Sequence, residues 1–248
     1  MFIGPVFSRE AVVAPRRAKH YVARAVYVTT LLILMCTAWF VLAGTQIIRN
    51  VGDMARFGAV LFQVLAPLQL TLLTFMSAMV AASAVAQEKD RRTLILLLMT
   101  RMSNAELVLG KLFASLLNVF AMLLAALPLF MMIALLGGVS FDQIMRVFAV
   151  TASTALAAGS LGSTLALWRD KTFQTLAMTA LLLVMWIGAW EAVYAIGGDG
   201  QIGVVPVELL ATGFSPFRAT LVASQPNLAA ASTEAWYQDG ANLFLCVS

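Results

Sequence analysis

Few side chains of this sequence stand where chemistry needs them. His20 is the one imidazole, so neither a zinc site of several histidines nor a Ser/His pair can be assembled. Among Arg16, Arg17, Lys19 and Arg24 it reads as a solvated neighbour of lipid headgroups. Gly110-Lys111 comes nearest to a phosphate loop, but Ala105 stands where the first glycine belongs and Leu112 where Ser or Thr would follow the lysine. Cys36 and Cys246 lie far apart and encode no disulfide framework. The chain is expected to have no catalytic residue, no metal ligands and no cofactor of its own.

Coupled transport usually leaves an ionisable group in mid-span, where its cost in lipid has to be offset by a task. The long apolar runs of this chain contain none. Their polar residues are amides and hydroxyls, among them Gln63, Gln69, Asn118, Thr151, Thr154 and Ser160, which are expected to hydrogen-bond between helices at about 1 kcal/mol each. Ala155, Gly159 and Ser163, spaced i, i+4, i+8, form a small-residue face that lets a second helix approach closely. The alternative for these groups is a substrate path.

The elements that position these residues follow from composition. Of 248 residues, 61% are apolar and 11% charged, and the mean hydropathy is +0.90. Polar surface of that extent cannot cover a water-soluble globule, so much of the apolar surface faces lipid. Cutting at the charged residues leaves five uncharged runs: Ala25 to Ile48, Phe57 to Gln87, Leu112 to Phe141, Val147 to Trp168 and Thr172 to Trp190. The shortest has 19 residues and as a helix reaches about 28 Å, close to the hydrocarbon thickness. The first run is too long for a signal-peptide core and reads as a retained helix. The second and third are too long to stand upright, with Pro67 and Pro128 as the expected kink sites. The expected fold is an all-α, polytopic transmembrane helical bundle in one membrane domain.

The charges set its orientation. Twelve Lys and Arg precede the first span or lie between spans two and three or four and five, against Arg49, Arg56, Arg146 and Arg218 on the other side. This bias predicts a cytoplasmic N-terminus. Because the basic residues sit in the gaps between apolar runs, the net charge of +4 reports topology and not nucleic acid. Residues 1–24 are then a cytoplasmic basic segment and 192–240 an outer one, with short interfacial helices expected at Val204 to Ala211 and Phe217 to Ala223. Trp39, Trp186, Trp190 and Trp236 suit an outer aromatic belt. The apolar residues from Ala241 to Ser248 are expected to open a sixth span.

Between spans two and three, residues 88–111 alternate charge and apolarity in blocks. Glu88-Lys89-Asp90-Arg91-Arg92 is followed by Thr93-Leu94-Ile95-Leu96-Leu97-Leu98-Met99-Thr100, which as a helix covers about 12 Å and cannot cross a bilayer. Leu94, Leu97 and Leu98 share one face, yet Ile95, Leu96 and Met99 leave no polar side. Such a turn either rests in the headgroups or is covered by a partner protein. Arg101-Met102-Ser103-Asn104-Ala105-Glu106 then restarts a helix near Asn104, with Ser103 and Glu106 at capping-box spacing.

The run from Glu88 to Leu112, with Glu-Lys-x-Arg-x-Thr-Leu-x-x-Leu-Leu and then Gly-Lys-Leu, resembles the permease subunits of type-2 ATP-binding-cassette exporters. Gly4-Pro5-Val6-Phe7-Ser8-Arg9-Glu10 is similar to their amphipathic N-terminal helix, and Ser215-Pro216-Phe217 to a motif after their fifth span. The sequence departs from the family at Arg92, Ile95 and Thr100-Arg101, where Gly, Glu and Thr-Pro are common. The resemblance implies six helices, a second permease subunit, and a cytoplasmic ATPase subunit docked on Glu88, Lys89, Arg91, Arg92, Thr93, Leu94, Leu97, Leu98, Thr100, Arg101 and Ser103. It implies export across a bacterial plasma membrane. The alternative is a structural or assembly membrane protein that binds a cytoplasmic partner and transports nothing.

Overall fold

The computed structural model describes residues 18–45, 50–90, 104–168, 171–197, 201–202, 205–225 and 244–246. These form helices α1 (Ala18–Thr45), α2 (Val51–Asp90), α3 (Asn104–Ala134), α4 (Phe141–Trp168) and α5 (Thr172–Gly197). Strands β1 (Gln201–Ile202) and β2 (Val205–Pro206), then helices α6 (Val207–Phe214) and α7 (Pro216–Ser224), follow them. The strands are one antiparallel two-residue ladder pairing Gln201 with Pro206 and Ile202 with Val205, and the fold is all-α. Among the described residues five helices are long and apolar enough to cross a membrane, at Tyr21–Gly44, Val51–Ala86, Leu112–Ala134, Phe141–Trp168 and Thr172–Gly197. The chain is a multi-pass helical membrane protein.

Helix ends differ from the charge-delimited runs. The third helix stops at Ala134, before the expected Phe141, and the fourth begins at Phe141, before the expected Val147. Gly137 and Gly138 have φ of 88° and 78°, a left-handed turn that side chains with a Cβ resist. A reciprocal capping pair then starts α4: Ser140 N–H donates to Gln143 Oε1 at 2.7 Å and Gln143 N–H to Ser140 Oγ at 3.3 Å. Asp142 and Arg146 therefore lie inside α4 as an i, i+4 ion pair of 3.1 Å. In the same way α1 begins at Ala18 and takes in Arg24, and α5 runs through Glu191 to Gly197. Charge marks where lipid ends; backbone hydrogen bonding continues past it. Pro67 and Pro128 both lie inside continuous helices.

The chain divides into two compact units, and each of the five long helices contributes a segment to both. One comprises Met1–Val26, Leu73–Met122 and Ala155–Val184. Its helices meet at small residues. Ser77 Oγ donates to the Ala155 carbonyl at 2.6 Å, a Cβ on Gly159 would lie 2.8 Å from Leu116 Cδ2, and one on Gly162 2.6 Å from the Ala78 carbonyl oxygen. Arg24 Nη2 donates to Asn118 Oδ1 at 3.3 Å.

The other unit comprises Tyr27–Leu72, Leu123–Thr154 and Met185–Ser248. Edge-on ring pairs join α2, α3 and α4, Phe62 with Phe130 at 5.7 Å and Phe130 with Phe148 at 5.5 Å, each worth about 1 kcal/mol beyond area burial. Trp39 on α1 meets Phe57 on α2 edge-on at 4.8 Å. The α3–α4 turn presses on α2, where a Cβ on Gly58 would lie 2.6 Å from the Gly137 carbonyl oxygen. Gln143 Nε2 and Arg146 Nη2 donate to the carbonyls of Ser224 and Gln225 at 3.2 and 3.3 Å, fastening the end of α7 to the start of α4.

The hydroxyls expected to link helices mostly do not. Thr151 donates to Val147 at 2.7 Å, Thr154 to Val150 at 2.7 Å and Ser160 to Ala157 at 2.8 Å, all carbonyls of their own helix. A hydroxyl has one proton, and the carbonyl one turn back is always within reach.

Candidate functional site

The two amphipathic stretches after α5 are helices, displaced from their expected bounds to Val207–Phe214 and Pro216–Ser224. Ser215 caps α7, its side chain accepting from Arg218 N–H at 3.4 Å, with Pro216 as the first helical residue. That local order suits a helix start, because Ser supplies the missing acceptor and Pro needs no donor.

This cap brings four polar side chains together. Glu191 and Tyr194, three residues apart, share a face of α5. Arg218 Nη2 meets Glu191 Oε2 at 2.7 Å, with the side chains 20% and 35% exposed. Ser215 Oγ donates to Glu191 Oε1 at 3.4 Å, and Arg218 Cζ lies 3.3 Å from the Tyr194 ring centroid. Beside them Trp190 stacks on Phe214 at 5.0 Å with an 11° interplanar angle. The guanidinium pairs with a carboxylate and packs on a ring, a combination that the planar Arg head suits better than Lys. The Ser215 hydroxyl is engaged both as the cap of α7 and as a donor to Glu191. The chemistry of the arrangement is that of a charge-balanced clamp holding α7 to the end of α5.

Both charges were legible only as charges in an outer segment. Ser215-Pro216 stood out only as part of a family-like motif, and Arg218 one turn on was the signal that a cap and an ion pair meet there. We expect a double-mutant cycle of Glu191→Gln and Arg218→Gln, read by unfolding in SDS, to give a coupling of about 1–2 kcal/mol, between the ranges for exposed and buried pairs. Additive losses would mean that the pair holds nothing.

Of the expected coupling residues, Glu88 and Lys89 fall in the last turn of α2, which runs to Asp90, past its apolar span ending at Ala86. Arg91, Arg92, Thr93, Leu94, Leu97, Leu98, Thr100, Arg101 and Ser103 lie outside the described residues. Helix α3 is described from Asn104, two turns before its own apolar span begins at Leu112. Residues 91–103 are thus tethered at both ends to helices that continue beyond their apolar spans. Of the helix-packing residues, Ala155 is 4% and Ser163 3% exposed, and Gly159 is buried against Leu116 and Ser77. Gly162, which the small-residue reading left out, makes the closer backbone approach. Ala158-x-x-x-Gly162 carried the same spacing.

Among the described residues no group of three or more His, Cys, Asp or Glu is placed to hold a metal ion. No protein-family model, curated protein or solved structure matches this chain.

Proposed function

We propose that this chain is the membrane-spanning permease subunit of an ATP-driven exporter in a bacterial plasma membrane, with its N-terminus in the cytoplasm. The observation that carries the reading is the element at residues 88–111. Its apolar run Thr93 to Thr100 is too short to cross a bilayer and too apolar to lie bare in water, and it lies in the chain between two helices that continue beyond their apolar spans. A partner that covers it can turn its own conformational change into movement of α2 and α3. The chain has no phosphate loop, so the ATPase is a separate subunit, and a second permease subunit completes the transporter. The charge bias puts the element on the same side as the N-terminus and as Arg169 and Lys171.

The test is to substitute both Leu97 and Leu98 by Asp and co-express the protein with an ATPase encoded beside it. Two buried leucines contribute about 2 kcal/mol each, and an unpaired carboxylate adds a penalty. Affinity for the ATPase should therefore fall by at least about a hundredfold. Membrane insertion, read by resistance to alkaline extraction, should not change. Unchanged affinity would place the contact elsewhere. Lost affinity, with no ATP-dependent export by the unsubstituted complex, would favour the assembly role.

A further inference from the structure

Gln69 lies at the middle of the longest apolar span, Val51–Ala86, and is 0% exposed; Tyr27, on α1, is 3% exposed. The Gln69 side chain is a neighbour of the Tyr27 hydroxyl. Gln69 Oε1, Gln69 Nε2 and the Tyr27 hydroxyl are buried with no hydrogen-bond partner among the described residues.

This sets the pair apart from the other buried polar groups. Asn118, Gln143, Ser77, Thr151, Thr154, Thr179 and Thr220 all make hydrogen bonds. Arg24 and Arg218 leave Nε unbonded but bond through Nη2. Turning Tyr27 onto Oε1 would satisfy one lone pair and leave both amide protons, since a glutamine carries two donors and two lone pairs. A buried amide with nothing to bond is costly, the more so in a span that water does not reach.

The free atoms define what would satisfy them. Oε1 accepts and Nε2 donates, so the complementary group does both at once. A neutral hydroxyl does. A carboxylate only accepts and an ammonium only donates, and either would bring an unpaired charge into the span. Along α2 the amide is flanked by Leu65, Ala66 and Leu70, all buried and apolar, which suits an aliphatic chain. Pro67, two residues before Gln69, has no N–H to offer the Gln63 carbonyl, so α2 can bend there.

We propose that Gln69 and Tyr27 form a site inside the membrane span for the hydroxyl group of a neutral aliphatic amphiphile. The site stands independently of the exporter reading; only its role as a cargo contact rests on that reading.

The test uses the full chain in lipid nanodiscs with 1-dodecanol and its methyl ether, which has the same chain but no donor. Thermal unfolding measured against probe concentration should show the alcohol saturating and binding about tenfold more tightly than the ether. Gln69→Leu combined with Tyr27→Phe should erase that preference. Without probe this variant should unfold at or above the temperature of the unsubstituted protein, because unbonded polar atoms are gone. If the double variant does not fold, Gln69→Met alone serves in its place. Equal shifts by alcohol and ether would mean partition into the bilayer, or a site that holds an internal water only. That result, or a preference that survives the substitutions, would overturn the proposal.

Discussion

Replacing Gly162 by leucine is expected to prevent α2 and α4 from packing in the unit formed by Met1–Val26, Leu73–Met122 and Ala155–Val184. A Cβ at that position lies 2.6 Å from the Ala78 carbonyl oxygen and 3.3 Å from its carbonyl carbon and Cα. All three are backbone atoms, so the overlap is relieved only by moving one helix away from the other. Lipid offers no hydrophobic drive to restore the contact, because helix association in a membrane depends on close packing and interhelical hydrogen bonds. Even alanine should cost about 2–3 kcal/mol, at the upper end for overpacking, and leucine more.

Gly159, one turn earlier, is the internal control. There a Cβ meets Leu116 Cδ2 at 2.8 Å and Ser77 Oγ at 3.0 Å, the ends of side chains that can turn. Gly159→Ala should cost about 1 kcal/mol, mostly by disturbing the hydrogen bond from Ser77 to Ala155. Unfolding in SDS, with size exclusion in mild detergent for the leucine variant, measures the order. If Gly159→Ala is the more damaging alanine substitution, the account of this helix contact is wrong.

The second large effect is expected at Gly138. Its φ of 78° costs a residue with a Cβ about 1–2 kcal/mol. The new atom would also overlap the Ala55 carbonyl, lying 2.7 Å from its carbon. Both costs fall on one position, so Gly138→Ala should lose about 3 kcal/mol or more. Gly137 shares the left-handed conformation at φ 88°, but there a Cβ comes no nearer than 3.4 Å to the Ala55 Cβ, an ordinary contact. Gly137→Ala should show the conformational cost alone, about 1–2 kcal/mol. The difference between the two neighbours isolates the packing of the α3–α4 turn on α2. Equal losses would show that turn to be free of α2.

The sequence by itself determined that the chain is helical and lies in the membrane, and which runs among the described residues are long enough to cross. These properties are local. A run such as Leu112 to Ala134 is apolar whatever surrounds it, and in lipid a backbone alone must satisfy itself by forming a helix. Charges likewise marked the gaps between the spans. They did not mark helix ends, since hydrogen bonding from residue to residue takes no notice of where lipid stops. Phe141, Asp142 and Arg146 therefore belong to α4, although the charge cut began that span at Val147.

Tertiary structure alone decided which polar and small residues matter. Thr151 and Gln69 look alike in sequence as mid-span polar residues, but a threonine reaches its own helix carbonyl, whereas the longer glutamine side chain depends on a neighbour and here finds none. Gly159 and Gly162 look alike too; one faces movable side chains and the other a backbone. Glu191 and Arg218, 27 residues apart, meet because α7 returns to the end of α5. Each of these outcomes depends on which helix faces which, and in a sequence where nearly every helix is apolar all round, no periodicity records that choice.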